Sequence, residues 1–427
     1  MNEVKSVGES GVVQLSETKR HLLEKFLTGQ PRENLSGTVV LSPENSQQRA
    51  PTGKARSFPR MRHLTLDDYP QVSALESKYG LGLKSYEHWS HIWINNPVYH
   101  ERRRNWPLGW VLETDNNQIV GAHGNIPLLY ELNGRRIIAA QGRGLVLDSR
   151  YRGYSLWLLG AFLEQKNAEL YLDTSASLEA DRADRELGAV QVPVGSWDRD
   201  VFWITDYRCF LSGWLRRKLP QRLAPIAGTL CYPLAAGLYL KDRVTKRAPQ
   251  NECKGFSIAR CNGFDDRFDE FWDQLRNENS HVLLAVRTRK ILEWHFAYAV
   301  QQDRLWIWTV TQDSRLVAYS IFLKIEDPGV GIVRIRLIDF QALKGNAALL
   351  QLMLSAALEQ CRLDGIHVLE NSGLAFGRSG INELAPHQRK RSWWIYLYKA
   401  RDRELQEKLS NPDVWNPSLY DGDASIL

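Results

Sequence analysis

A strand that turns straight into a helix through Arg150, Tyr151, Arg152, Gly153, Tyr154 and Ser155 constrains this chain more than any other feature. Before the turn, Arg136, Ile137, Ile138, Ala139 and Ala140, then Gly144, Leu145, Val146 and Leu147, read as one apolar strand; after it, residues 156–164 read as an amphipathic helix. Such a turn points free backbone N–H groups, the positive end of a helix dipole and two guanidinium groups at one small volume. That volume suits a pyrophosphate.

The run resembles the acyl-CoA-binding turn of the GNAT N-acyltransferases, whose pattern is Arg or Gln, two residues, Gly, one residue, then Gly or Ala. Residues 169–174 read as the next strand, and Ser177, Ala180, Leu187, Gly188 and Ala189 resemble the family's following helix, with Ser for its Asn and Ala for its Phe. Upstream, Leu64, Thr65, Leu66, Asp67 and Asp68 resemble its first strand and helix cap. Trp110, Val111, Leu112 and Glu113 with Gln118, Ile119, Val120, Gly121 and Ala122 resemble the hairpin before the binding strand. The resemblance spans residues 61–194. It implies a mixed α/β lobe that uses acetyl-CoA or another acyl-CoA as co-substrate. Arg150, Tyr151, Arg152, Gly153, Tyr154 and Ser155 would hold the pyrophosphate, and the backbone of Leu145, Val146 and Leu147 would hold the thioester carbonyl.

The second half reads as a worn copy of the first. Trp306, Ile307 and Trp308 with Val317, Ala318 and Tyr319 repeat the hairpin; Val333 to Asp339 repeats the binding strand, and residues 347–354 the helix. Between them stand Ala342, Leu343, Lys344, Gly345 and Asn346, so Gly is kept while the leading Arg is replaced by Ala342. This arrangement resembles the tandem, double-GNAT proteins. The expected organisation is a flexible arm over 1–60, a GNAT lobe over 61–200, an apolar and basic linker over 201–252, a degenerate second lobe over 253–400 and a tail over 401–427.

Within the arm, residues 15–28 form a short amphipathic helix with Ser16 as cap and Leu22, Leu23, Phe26 and Leu27 as its stripe. Its wording resembles the junction helices of polyketide and nonribosomal-peptide assembly lines, which implies an assembly-line protein as partner; a plain interaction helix is the other reading. The 427 residues allow two or three domains, and 43% hydrophobic residues supply real cores. A net charge of +6, from 55 basic and 49 acidic residues, gives no nucleic-acid footprint. Five scattered cysteines suggest neither disulfides nor a metal site. Without a secretory signal the chain reads as cytoplasmic. Residues 223–240 carry no charge and lie between Arg216, Arg217, Lys218 and Lys241, Arg243. The run is too short and too rich in Pro and Gly to span a bilayer; a buried linker helix pair is one reading and a membrane-surface contact the other.

Catalysis is the least legible part. N-acyl transfer needs a neutral amine, donors for the developing oxyanion and an acid for the departing thiolate. The binding strand, where relatives carry a carboxylate, holds no acid between Ala139 and Gly144, and the position of the family's Tyr falls on Asp184. His123, on the adjacent strand, is then the candidate base, with a structural histidine as the plainer reading. Asp184 is the candidate near the thiolate, with a solvated pair beside Arg182 and Arg185 as its alternative. The expected function is transfer of an acyl, first of all acetyl, group to the amine of a small or carrier-bound acceptor in natural-product or polysaccharide biosynthesis. The alternative is a non-catalytic pseudo-acyltransferase that recruits an assembly line.

Overall fold

The computed structural model describes residues 58–102, 105–194, 198–218, 227–245, 255–329, 331–346, 348–372, 385–390 and 395–426. The helix expected at 15–28 lies outside them. Arg60, counted with the arm, instead opens the first strand. The strands are β1 (Arg60–His63), β2 (Gly109–Glu113), β3 (Ile119–Leu132), β4 (Arg135–Leu147), β5 (Leu170–Ala176), β6 (Val190–Gln191), β7 (Arg199–Ile204) and β8 (Ser257–Cys261). They continue with β9 (Leu284–Ala285), β10 (Leu305–Gln312), β11 (Arg315–Asp327), β12 (Ile332–Ala342), β13 (Val368–Ser372), β14 (His387–Lys390) and β15 (Ile395–Ala400). The helices are α1 (Tyr69–Lys78), α2 (Tyr86–Ile94), α3 (Pro97–Arg102), α4 (Ser155–Glu164), α5 (Leu178–Glu186) and α6 (Tyr207–Lys218). After them come α7 (Ala227–Thr245), α8 (Arg267–Glu278), α9 (Arg289–Gln301), α10 (Ala348–Leu363) and α11 (Arg403–Leu409). The fold is mixed α/β, with two mixed sheets.

Two compact units share the chain. The first holds the described residues up to Lys84 with Pro107–Gly124 and Gly144–Glu164; the second holds Ser85–Trp106, Asn125–Arg143 and the chain from Gln165 onward. In the first, β1 pairs antiparallel with β2 (His63↔Trp110) and β2 with the start of β3 (Trp110↔His123). Arg62 locks this edge: its guanidinium donates to both oxygens of Asp68 at 2.8 Å and to Glu113 at 2.8 Å. Asp68 in turn accepts from the Thr65 N–H, closing the capping box that starts α1. Gly109 is required, because a Cβ there would lie 2.2 Å from the His123 carbonyl oxygen.

In the second unit β4 lies parallel to β5, β5 antiparallel to β15, and β15 antiparallel to β6. The tight links are legible as left-handed pairs. Asn133 and Gly134, at φ of 53° and 72°, join β3 to β4, and Asp313 and Ser314, at 49° and 66°, join β10 to β11. The other sheet has the order β14-β7-β13-β12-β11-β10-β8, with β12 and β13 parallel and the rest of the path antiparallel. Trp306, Phe322, Leu337 and Leu369 from this sheet pack with Leu350, Met353 and Ala357 of α10 as its core. β7, which falls at the junction of the expected first lobe and linker, lies between β13 and β14, while β15 inserts between β5 and β6. The two sheets therefore exchange strands. Residues 401–426, counted with the tail, are built into the structure, with Trp415, Leu419, Tyr420 and Ile426 buried.

Candidate functional site

The parallel ladder of β4 and β5 runs from Ala139↔Leu170 to Gln141↔Leu172 and stops, although β4 continues to Leu147. From there β5 pairs with β15 (Leu397↔Asp173, Ile395↔Ala176). Among the described residues, β4 has no pairing with β5 beyond Gln141. Gln141 marks the end: it is fully buried, its amide donates to the Gly142 carbonyl at 2.8 Å, and its Oε1 has no hydrogen-bond partner among the described residues.

β4 then delivers the turn. Ser149–Tyr154 is a 3-10 turn that leads into α4, with Asp148 as its cap. Arg150 and Arg152 are exposed, and Lys78 pairs with Asp148 at 2.8 Å, bringing a third cation to the cap. Lys78 and the Arg150 N–H hold the Asp148 carboxyl below its ordinary value. The turn differs from expectation in one respect. The first amides are occupied: Ser149 N–H donates to Tyr79 Oη (2.9 Å), Arg150 N–H to the Asp148 carboxylate (3.2 Å) and Tyr151 N–H to the Asp148 carbonyl (2.8 Å). The cations, more than free amides, are what this turn presents. At the turn after β12, the Lys344 N–H donates to the Glu278 carboxylate at 2.6 Å.

The two catalytic candidates meet different surroundings. His123 is 2% exposed, edge-on to Phe162 with ring centroids 5.0 Å apart, and neither ring nitrogen has a hydrogen-bond partner among the described residues. Burial pushes its pKa down to about 4, so the imidazole stays neutral. Asp184 is not a solvated ion pair. It is 2% exposed, its Oδ2 lacks a hydrogen-bond partner among the described residues, and Arg185 pairs with Asp181 instead.

Asp184 belongs to a cluster that sequence reasoning passed over. Burial, then the charge of Asp173, pushes its carboxyl up to about 8; burial, then the charge of Asp423, pushes Asp173 up to about 7. Ser175 Oγ donates to Asp423 at 3.0 Å, the Ser175 N–H donates to Asp173 at 3.1 Å, and Gln141 reaches Thr174 Oγ1 at 3.4 Å. Gly422 lets the last segment approach, because a Cβ there would stand 2.1 Å from Thr174 Oγ1. Asp173 was readable as a strand-end acid, but its partners come from residues 184 and 423, and no local pattern ties those together. Carboxyls titrating near neutrality can accept a proton from an ammonium or, when protonated, donate one.

Two other features lie apart. A depression of about 670 Å³ beside Ile138 and Glu169 is lined by His100, Arg102, Trp106, Lys166 and Arg401, and none of the expected site residues reaches it. Asp206, Cys209 and His367 come within 4.8 Å of one another. His367 Nδ1 accepts the Val333 N–H at 3.1 Å, which leaves its proton on Nε2, and Asp206 caps the Cys209 N–H at 2.9 Å. Asp206 thus caps the start of α6, while His367 holds the start of β12.

No protein-family model matches the chain, and no curated protein does. Solved structures do. A GCN5-related N-acetyltransferase from Anabaena variabilis aligns over 81% of this chain and 73% of its own, at 12% identity and a TM-score of 0.50. A conserved protein of unknown function from Enterococcus faecalis aligns over 81% and 72%, at 11% identity and a TM-score of 0.50. The chain has the GNAT fold. Saccharomyces cerevisiae N-myristoyltransferase with bound myristoyl-CoA aligns over 92% and 90%, at 11% identity and a TM-score of 0.49. At such identities the GNAT fold comes without residue roles, and those rest on the geometry above.

Proposed function

We propose that this chain is an acyl-CoA-dependent N-acyltransferase. The observation that carries the reading is the β4–β5 ladder that ends at Gln141↔Leu172 on a strand which then runs into the Arg150 turn, in a chain of GNAT fold. The amides of Leu145, Val146 and Leu147 hold the thioester carbonyl as its oxygen gains charge. Arg150, Arg152 and Lys78, with the turn of Tyr151, Gly153, Tyr154 and Ser155, hold the pyrophosphate. Asp184, buried beside Asp173, is the acid–base candidate. The amine nitrogen attacks the thioester carbon, the resulting ammonium gives up its proton, the C–S bond breaks, and the CoA thiolate leaves and takes up that proton. His123 packs. The acceptor is a small or carrier-bound amine, acetyl is the first acyl group to try, and biosynthesis with docking through residues 15–28 is the setting proposed. The second sheet is a degenerate lobe whose turn is filled by Glu278.

The test compares two glycines. Gly153→Glu puts a carboxylate at the pyrophosphate and is expected to abolish the melting shift caused by acetyl-CoA, while Gly345→Glu leaves it nearly intact; the reverse pattern overturns the lobe assignment. The occupied amides of Ser149, Arg150 and Tyr151 favour one rival, a non-catalytic acyl-CoA holder. A CoA-induced melting shift with no thiol release across an amine panel would establish that rival.

A further inference from the structure

We propose that the hairpin of α6 and α7 docks on an anionic membrane surface. Among the described side chains, α7 buries a narrow stripe, Cys231, Ala235 and Asp242 at intervals of four and seven residues, and Cys231 packs on Leu215 of α6. Apolar side chains continue round the rest of the helix. Tyr232 is 52% exposed, Leu234 51%, Leu240 59% and Val244 87%, and Trp214 on α6 is 46% exposed. At 3.6 residues per turn, Leu240 and Val244 lie on the side opposite the buried stripe. A helix that is apolar all round is ordinarily covered all round. Of the two readings of the charge-free run, these exposures favour the surface contact.

Charge decides what covers it. Among the described residues, the exposed charges of the two helices are Arg208, Arg216, Arg217, Lys218, Lys241 and Arg243, all positive, with Arg217 paired to Asp327. Their acid, Asp242, is buried and bonded by Tyr207 Oη at 2.7 Å and His387 Nε2 at 2.8 Å. Arg208 stacks 4.5 Å over the Tyr232 ring, a cation held beside the apolar face. Aliphatic side chains for the acyl boundary, Trp and Tyr for the headgroup level, and Lys and Arg for anionic headgroups are what an interfacial helix needs. Among the described residues no helix is long and apolar enough to cross a membrane, so the hairpin would lie on the surface.

The full chain is sedimented with vesicles of phosphatidylcholine alone and of phosphatidylcholine with about one third phosphatidylglycerol, a fraction that gives the surface its negative potential. Binding to the anionic vesicles, weakened by salt, is expected. Leu234→Asn with Leu240→Asn, both at exposed positions, is expected to lower the vesicle affinity roughly tenfold or more with the melting temperature unchanged. Should that pair disturb the fold, Arg216→Glu with Lys218→Glu at exposed sites gives the same reading through charge. A chain that stays in the supernatant, variants that sediment like wild type, or equal binding to neutral vesicles would overturn the proposal. So would a dimer dispersed by the Asn pair in a chain that ignores vesicles, since a second copy would then cover the face.

Discussion

At the scale of single residues, Asp184 and His123 are separated by the direction in which burial moves each. Asp184 is neutral when buried and charged when unfolded: its carboxyl titrates near 3.8 in the open chain and at about 8 in the fold. The folded form holds the extra proton between those values, so the stabilisation is complete below the lower and lost as pH rises through the upper. Asp184→Asn, which cannot ionise, is expected to melt above wild type at pH near 9, with the difference shrinking toward pH 5, while turnover falls on the order of a hundredfold. A melting difference that is the same at both pH values would show that the carboxyl is not perturbed. His123 runs the other way, with its pKa lowered from 6.5 to about 4. The unfolded chain takes up the proton first, so stability falls as pH drops from 6.5 toward 4. His123→Leu is expected to flatten that acid limb and keep wild-type turnover. A large rate deficit that narrows at high pH would instead make His123 the base.

At the scale of elements, local sequence and long-range register were not equally readable. The strand over Arg135–Leu147, the helix over Ser155–Glu164 and the helix that stops at Gly188 (φ of 90°) stood out, because periodicity and glycine act within a few residues. The hairpin partners β10 and β11 and the strand β12 were legible for the same reason. The exchange of β7 and β15 between sheets was not: a strand's composition says that it is buried and nothing about which sheet takes it. The acid cluster escaped in the same way, through contacts of Asp173 with residues far along the chain. The engaged amides of the Arg150 turn escaped because Asp148, Tyr79 and Lys78 compete for it only once α1 is folded. What the motif conveyed faithfully was its charge.

At the scale of the whole molecule, residues 412–426 act as a keystone of the second unit. Arg287 is 2% exposed and donates to Asp339 at 2.8 Å, and its side chain lies 4.7 Å from the Tyr420 ring. Ser418 Oγ donates to Asp339 at 2.9 Å, Tyr420 Oη donates to the Val286 carbonyl at 2.8 Å, and Ser425 bonds His295 at 2.7 Å. Trp415 packs on Tyr398 with centroids 4.9 Å apart. A buried cation and carboxylate are tolerable only while their remaining hydrogen-bonding positions are filled, and here Ser418 fills one of them beside Ala285, Tyr319 and Gln341. The apolar side chains after Asn411 add more, since removing a large buried side chain costs about 3 to 5 kcal/mol against a total stability of roughly 5 to 15 kcal/mol. A chain ending at Asn411 is therefore expected to lose cooperative melting and to be cut readily by protease. Tyr420→Phe, which gives up one hydrogen bond while keeping the ring, is expected to cost only about 1 kcal/mol and to melt cooperatively. A shortened chain that melts within a few degrees of the intact one would show that Arg287, Asp339 and the core around Tyr396 and Tyr398 hold without it.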